Sequence, residues 1–455
     1  MATYTLTASQ LQGAGILNIF DVPDIDAQAY LTATGIADTL QQNIIAELVR
    51  DLKNYGLWSK MKAVYPFVTD QRNLASFSED FSNAVWQKTN GTITANSTIA
   101  PNGTTTADTF TPNTTNSLDH LIATFSVPST SNTVTQSIYV KANGYNFVMI
   151  EGFDTVRNPK IMFNLTNGTS TVINSSGSNV GTITNEGNGW YRISMNWTTA
   201  AGLSISTYIS SYPTSLYQSY AGNGTSGVFI WGAQVEGTAL TAYQPQLGSA
   251  QAAIASQFKY NLVNPVDSDA AFRLIFNGGW THSANGATPN GTNGFANTYL
   301  VPSSVLSLNS THISCYTRTN TTVSAPLLSS EDATTYNNGL FIWPKYSGNL
   351  YSVRINDNSS DSATAVANTQ GLHLATRTAS NVKKYRHNTT QIFANTTAST
   401  SLNTSSIYVG ASRNNANYST HQTAFASIGD GLTDTEAANL YTAVQAFQTK
   451  LSRQV

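Results

Sequence analysis

DTLQQNIIAELVRDLKNYGLWSKMKAVYPFV, residues 38–68, decides how this chain is put together. Asp38 with Gln41 three residues on is a helix-start signature, and Ile44, Leu48, Leu52 and Tyr55 recur along one helical face. Gly56 supplies the left-handed residue that ends such a helix. A helix with one clean apolar stripe is marginal by itself and has to lie on something else. What covers the stripe must be found downstream.

The 455 residues exceed one ordinary core, which points to two or three domains. Only 10% of residues are charged, with Asn, Thr, Ser and Gly in their place, while 40% are hydrophobic and 10% aromatic. Ample core material with little charge outside is the texture of an all-β chain with uncharged outer faces and tight turns, not of a disordered one. A net charge of −2 without a Lys/Arg cluster argues against a nucleic-acid partner. No apolar run is long enough to span a bilayer, so no membrane insertion is expected, and the first residues lack the basic and apolar regions of a signal peptide. The lone Cys315 leaves no intramolecular disulfide and reads as a small buried strand residue, in keeping with assembly in a reducing cytoplasm.

Residues 1–36 alternate Thr, Tyr and Leu before a short helical candidate from Asp24 to Thr34; they read either as an arm or anchor onto a partner or as a strand packed on its own domain. Residues 37–70 form the helical segment. Over 71–247 apolar residues alternate, as Val134, Ile138 and Val140 in TVTQSIYVKA and Tyr191, Ile193, Met195 and Trp197 in WYRISMNWTT. Asn-Gly pairs beginning at Asn90, Asn102, Asn143, Asn167, Asn188 and Asn223 suit type I′ hairpin turns, which predicts a β-sandwich of roughly eight to ten strands. Residues 248–455 are again strand-rich: Phe272, Leu274 and Phe276 share a face, as do Leu340 with Ile342, and Ile407, Val409 and Ala411. The chain closes on a helix over 433–451, with a Thr433/Glu436 capping box and an apolar face of Ala437, Leu440, Tyr441, Val444 and Phe447.

In order, RNLASFSEDFSNAVWQK (72–88), ADTFT (107–111), SIYVKA (137–142), NGWYRISM (188–195), FIWGAQVE (229–236) and TAYQP (241–245) resemble the carbohydrate-binding-module-type jelly roll of bacteriophage tail fibres, tail spikes and other virion surface proteins. DAAFRLIFNGG (269–279), VKKYRHNTT (382–390) and ASIGDGLTDTEAANLY (426–441) resemble the concanavalin A-like, laminin-G-like lectin sandwich. YGLWSKMKAVYPFV (55–68) resembles the segment that accompanies this sandwich in phage fibres. There the helical segment leads almost directly into the lectin-like sandwich. The resemblance therefore implies that the jelly roll is an insertion and that the helix packs on the C-terminal domain and its final helix. The implied fold class is mainly β: two antiparallel β-sandwich domains, one jelly-roll and one concanavalin A-like, with a helical N-terminal segment and a C-terminal helix. The implied protein is a structural phage virion fibre, of tail or head, displayed on the virion surface. It would be a homo-oligomer, as a homotrimer, attached to other virion proteins through the N-terminal arm.

Neither an HExxH, a GxSxG nor a Walker motif is present, and the six histidines, at 120, 282, 312, 373, 387 and 421, show no ligand spacing. Glu79, Asp80, Glu151, Asp154, Glu186 and Glu236 offer carboxylate pairs only by composition and read as solvated turn residues. A non-enzymatic protein is expected, with no catalytic residue and no resident metal. Calcium is the one cofactor with a motive, at Asp267 with Asp269 or Asp357 with Asp361, against their reading as turn caps. Glycan contact needs flat aromatic faces ringed by amides and hydroxyls. TYISSYPTSLYQSYAGNG (207–224) offers Tyr208, Tyr212, Tyr217 and Tyr220, GGWTHSANG (278–286) offers Trp280 and His282, and WPKYSGN (343–349) offers Trp343 and Tyr346. The same aromatics would also serve to pack an interface or a sandwich edge. Host-surface glycan recognition and adhesion is the expected function. The alternatives are a capsid decoration protein without ligand and a capsule-degrading tail spike.

Overall fold

The computed structural model describes residues 24–70, 73–117, 126–128, 133–199, 204–237, 239–320, 323–331, 339–346, 350–365, 367–412 and 417–455. The fold is mainly β, with antiparallel sheets, and divides into two compact units. The larger combines the described residues up to Asp70 with Ile254–Val455, and the smaller is Gln71–Ala253. Among the described residues the helices are α1 (Ile25–Thr34), α2 (Thr39–Asn54), α3 (Ala250–Phe258), α4 (Pro302–Val305) and α5 (Asp434–Lys450). Among the described residues no helix is long and apolar enough to cross a membrane.

Asp38 caps α2, its carboxylate accepting from the Gln41 amide at 2.9 Å. Gly56, at φ 68°, closes the helix: its amide bonds the Lys53 carbonyl and that of Leu57 bonds the Leu52 carbonyl. The buried stripe is Ile44, Ile45, Leu48, Val49 and Leu52. Tyr55, expected on that stripe, is the C-cap residue and is 38% exposed; Leu57 turns back beyond Gly56 and is fully buried in its stead. Helix does not continue to Val68. After a 3-10 turn at Trp58–Lys60, Met61–Tyr65 is a strand, since Pro66 disfavours helix at the residue before it.

That strand lies antiparallel on Thr423–Gly429, with Tyr65 opposite Ala426. It joins a sheet ordered Trp280–Ser283, Gly286–Pro289, Thr423–Gly429, Thr311–Thr317, Gly371–Ala379, Val382–His387 and Thr390–Asn395. Alternation splits these strands between two cores. Ile313, Cys315, Ala375, Tyr385, Ala426 and Ile428 face the second sheet of this unit, whose Leu328, Leu340, Ile342, Val353, Ile355 and Val409 complete the cluster. Tyr316, Leu372, Leu374 and Phe425 join the cluster made with α1, α2 and α5, where Ile44, Leu48 and Leu52 are buried with Leu440, Val444 and Phe447. The central sheet is thus covered on both faces, and the helices form a third layer. Residues 24–36, read as part of an arm, belong to that layer: Ala27, Tyr30 and Leu31 of α1 are in its core. Residues 1–23 lie outside the described residues. Two strand expectations shorten. Asp269–Ala271 is a 3-10 turn with Phe272 at φ 60°, so the strand begins only at Ile275, and Tyr408–Val409 is all of the strand read around Ile407.

Arg453 pins the chain end into this unit. It is fully buried, donating from Nε to Gln448 Oε1 at 2.6 Å, from Nη1 to the Phe67 carbonyl at 2.7 Å, and from Nη2 to the Pro66 and Ala424 carbonyls, each at 2.7 Å. Burial pushes its pKa down to about 9. A guanidinium tolerates such a site because its five N–H groups reach a ring of acceptors at once.

In the smaller unit one sheet runs Val180–Gly187, Trp190–Thr198, Thr133–Asn143, Gly227–Glu236, Ala107–Pro112 and Gly91–Thr98, and the other Ser126–Pro128, Ser204–Tyr212, Phe147–Phe153, Lys160–Asn164 and Thr169–Asn174. The eleven strands of these two sheets exceed the expectation because short outer strands carry little apolar signal, as in Thr169–Asn174. The core includes Val134, Ile138, Val140, Ile193, Met195 and Trp197 from one sheet and Val148, Ile150, Ile161, Phe163, Ile205 and Ile209 from the other. Of the six Asn-Gly pairs, Asn188-Gly189 has both φ values positive, at 51° and 81°, and turns Val180–Gly187 into Trp190–Thr198.

Candidate functional site

The five-stranded sheet of the smaller unit has an outward face that strand register orders into rows. With Val148, Ile150, Ile161 and Ile209 inward, Tyr208, Glu151 and Lys160 stand side by side on three neighbouring strands, and Ser210, Met149 and Met162 form the next row. Glu151 and Lys160 are 8% and 9% exposed. Lys160 Nζ donates to Glu151 Oε2 at 2.7 Å and to Tyr217 Oη at 2.9 Å, and stands 4.9 Å from the Tyr217 ring centroid. Asn158 Nδ2 donates to Glu151 Oε1 at 2.6 Å. Burial disfavours the charge of Lys160, but its bonds to Glu151 and Tyr217 outweigh that and raise its pKa.

The 213–220 loop packs its tyrosines against this face. Tyr212 is 1% exposed and clusters with Met149 and Met162; Tyr217 and Tyr220 lie 6.2 Å and 5.6 Å from its ring. Tyr212 is therefore floor, and Tyr217 and Tyr208 are the half-exposed rings beside the charged pair. Tyr220 is half-buried, its hydroxyl donating to the Ser211 carbonyl at 2.5 Å and its pKa raised by burial. Glu151, read as a solvated turn residue, is instead a buried strand residue paired to Lys160. The signal for both was present: FVMIEGF and KIMFN each place one charge at an outward-facing phase of an apolar strand. A ring, a carboxylate, an ammonium and an amide side by side can stack on sugar C–H groups while donating to and accepting from hydroxyls.

The other candidates belong to the larger unit. Trp280 donates from Nε1 to the Asn277 carbonyl at 3.0 Å and packs edge-on to Phe276 and over His282. His282 is 5% exposed, and burial pushes its pKa down to about 4. Trp343 is 7% exposed and meets Tyr346, 46% exposed, edge-on at 5.2 Å. Cys315 is buried in the strand Thr311–Thr317, which pushes its thiol up to about 12. Every carboxylate considered for calcium faces a cation: Asp267 meets Lys259 and Arg273, Asp269 meets Arg273, Asp357 meets Arg377 and Lys383, and Asp361 meets Lys383. Among the described residues no group of three or more His, Cys, Asp or Glu could hold a metal ion.

No family model and no curated protein matches the chain. Similar solved structures include a Trypanosoma rangeli sialidase in complex with sialic acid, at 10% identity and TM-score 0.29 over 75% of this chain and 61% of that one. The tandem CBM22-1-CBM22-2 domain of Paenibacillus barcinonensis Xyn10C matches at 11% and 0.26, over 78% and 95%. Mouse laminin alpha1 domains LG4-5 match at 12% and 0.21, over 69% and 88%. The chain spans about three fifths of the sialidase's length. These comparisons correct one expectation: with sialidases among the similar structures, the assignment of the chain as non-enzymatic does not stand. It rested on missing motifs, and a fold brings polar groups together from residues far apart in sequence, as Lys160 joins Glu151 and Tyr217 here. At this level the likeness is one of architecture alone and brings no reaction to the chain.

Proposed function

We propose that this chain is a fibre protein displayed on the surface of a phage particle, where it recognises host-surface glycan. The observation that carries the glycan reading is the Tyr208/Glu151/Lys160 row with Asn158 and Tyr217, a polar and aromatic group built on the outward face of a sandwich. Low charge with abundant Asn and Thr suits a sandwich exposed on a particle. The chain assembles as a homotrimer and attaches to other virion proteins through its N-terminal arm. A glycan array carrying host surface polysaccharides tests recognition. The wild-type chain is retained, and Tyr217→Ala weakens retention by at least tenfold while leaving both thermal transitions in place. No retention on any host polysaccharide overturns the glycan reading, and a monomeric mass in light scattering overturns the trimer.

A further inference from the structure

We propose that a cavity in the larger unit binds one carboxylate-bearing sugar residue of such a glycan, a uronate-type monosaccharide. This rests on the glycan reading above but uses a different unit and different residues.

The cavity, of about 190 Å³, opens between α5 and the turn that joins Val382–His387 to Thr390–Asn395. At about 30 Å³ per water it holds roughly six, the space of one sugar ring. Arg386, Asn388, Thr389, Ala438, Tyr441 and Thr442 line it.

Its charge is unbalanced toward the positive. Lys384 and Arg386 share a single carboxylate, Asp434, at 2.7 Å and 2.8 Å. The next acid of the helix, Glu436, is committed to Lys60 at 2.6 Å. Of the Arg386 guanidinium, Nη2 bonds Asp434 Oδ1 and Gln391 Oε1, while the buried Nε and the Nη1 bond no described residue, so part of its donor fork is unspent. A guanidinium with free donors matches a carboxylate in plane and charge.

The rest of the lining selects for a ring carrying hydroxyls. Asn388 is held rigidly at φ 54°, its amide donating to the Leu372 carbonyl at 2.7 Å and its Oδ1 accepting from the Leu372 amide at 2.8 Å. Its Nδ2 makes no bond to a described residue, and Asn388 forms part of the cavity wall. Thr389 is exposed, Tyr441 is half-exposed, and Ala438 leaves the helix surface low between Tyr441 and Thr442. A half-exposed ring beside small residues suits the C–H face of a pyranose, and inorganic phosphate would leave it unused.

Titration calorimetry on the full chain with D-glucuronate, D-glucose and inorganic phosphate tests this. Glucuronate binds at least tenfold more tightly than glucose or phosphate. Arg386→Gln loses at least tenfold for glucuronate. Ala438→Trp, at an exposed position, fills the cavity and abolishes binding with the thermal transitions retained. Equal binding of glucose or of phosphate overturns the proposal, as does unchanged binding in both variants. If host polysaccharide retains the chain but glucuronate does not bind, the cavity assignment falls and the function stands. Glucuronate binding without polysaccharide retention upholds the cavity assignment and overturns the function, and failure of both overturns both.

Discussion

The two units bury polar groups in opposite styles. In the larger, the central sheet is covered on both faces, so its polar residues have nowhere to go but inward: His312 and His373 are fully buried on neighbouring strands, and Arg377 and Lys383 close on Asp357 of the second sheet; beyond the sheet, Arg453 sits in a cage of carbonyls. In the smaller, the outward face of the five-stranded sheet keeps Tyr208 and Tyr217 half-exposed around the Glu151–Lys160 pair. A third layer converts surface chemistry into structural chemistry, while a two-layer sandwich leaves a face on which recognition can be built.

The sharpest test of that contrast is acid. Burial pushes His282, His312 and His421 each down to about 4 and lowers His373 and His387, all in the larger unit. His373 and His387 are stacked at 4.4 Å, and each bonds a tyrosine hydroxyl, so a proton on either would face both burial and the other ring. The unfolded chain takes up protons from about pH 6.5 downward and the folded unit does not, so unfolding is favoured as pH falls from there toward 4. Each histidine held near 4 contributes on the order of 3 kcal/mol by pH 4, enough together to unfold the larger unit before that point. In the smaller unit Asp154 sets a lower window. Burial pushes its carboxyl up, but hydrogen bonds from Thr199, Arg157 and Val156 outweigh that and hold it at about 2, so its contribution is intact above about pH 4 and fades toward 2. His120 lies outside the described residues. Scanning calorimetry at pH 7, 5.5 and 4.5 should show one transition falling steeply and the other holding. Two transitions that fall in parallel would break the comparison.

Arg453→Met comes next in size. It keeps most of the buried stem and removes donors from the Pro66, Phe67 and Ala424 carbonyls, which no water then reaches. The expected cost is about 4 kcal/mol to the larger unit, with the smaller unit's denaturant midpoint unchanged. A loss near zero in urea titration would mean that the C-terminal segment is not pinned through this side chain.

Legibility followed the range of the interaction. Asp38, Gly56, Thr433 and the alternation in TVTQSIYVKA act on neighbours within a few residues, and the sequence displays them. The mainly β class with its two sandwiches was readable for that reason. Arg453 was not, because its acceptors lie almost four hundred residues upstream at Pro66 and Phe67 and nothing local distinguishes it from a solvated terminal arginine. Met61–Tyr65 reads as part of the helical segment because its apolar residues suit either period, and only its pairing with Thr423–Gly429 decides. Among the candidate site residues aromaticity was visible but exposure was not. Tyr212 and Tyr217 are five residues apart, yet one is floor and the other faces outward, a difference set by how the 213–220 loop packs. Arg386 and Tyr441 were readable only as a strand cation and a helix residue until the fold brought both to one cavity.

The smallest effect asks whether the third layer owes its position to local capping or to packing. Thr433 accepts from the Glu436 amide while Glu436 Oε2 accepts from the Thr433 amide at 2.8 Å, and the same carboxylate holds Lys60 just before the strand Met61–Tyr65. Thr433→Ala removes one side of the box and costs about 1 kcal/mol. Lys60→Met removes the ion pair, and since both its partners are partly solvated the cost is about 0.5 kcal/mol. If the box and the ion pair act through the one Glu436 side chain, the double variant loses measurably less than the sum of the single losses in urea titration, because the first change already loosens the carboxylate that the second would release. Additive losses would mean that Glu436 is held in place by the helix alone, and that α5 is docked by its apolar face on Leu48 and Leu52 without help from its start.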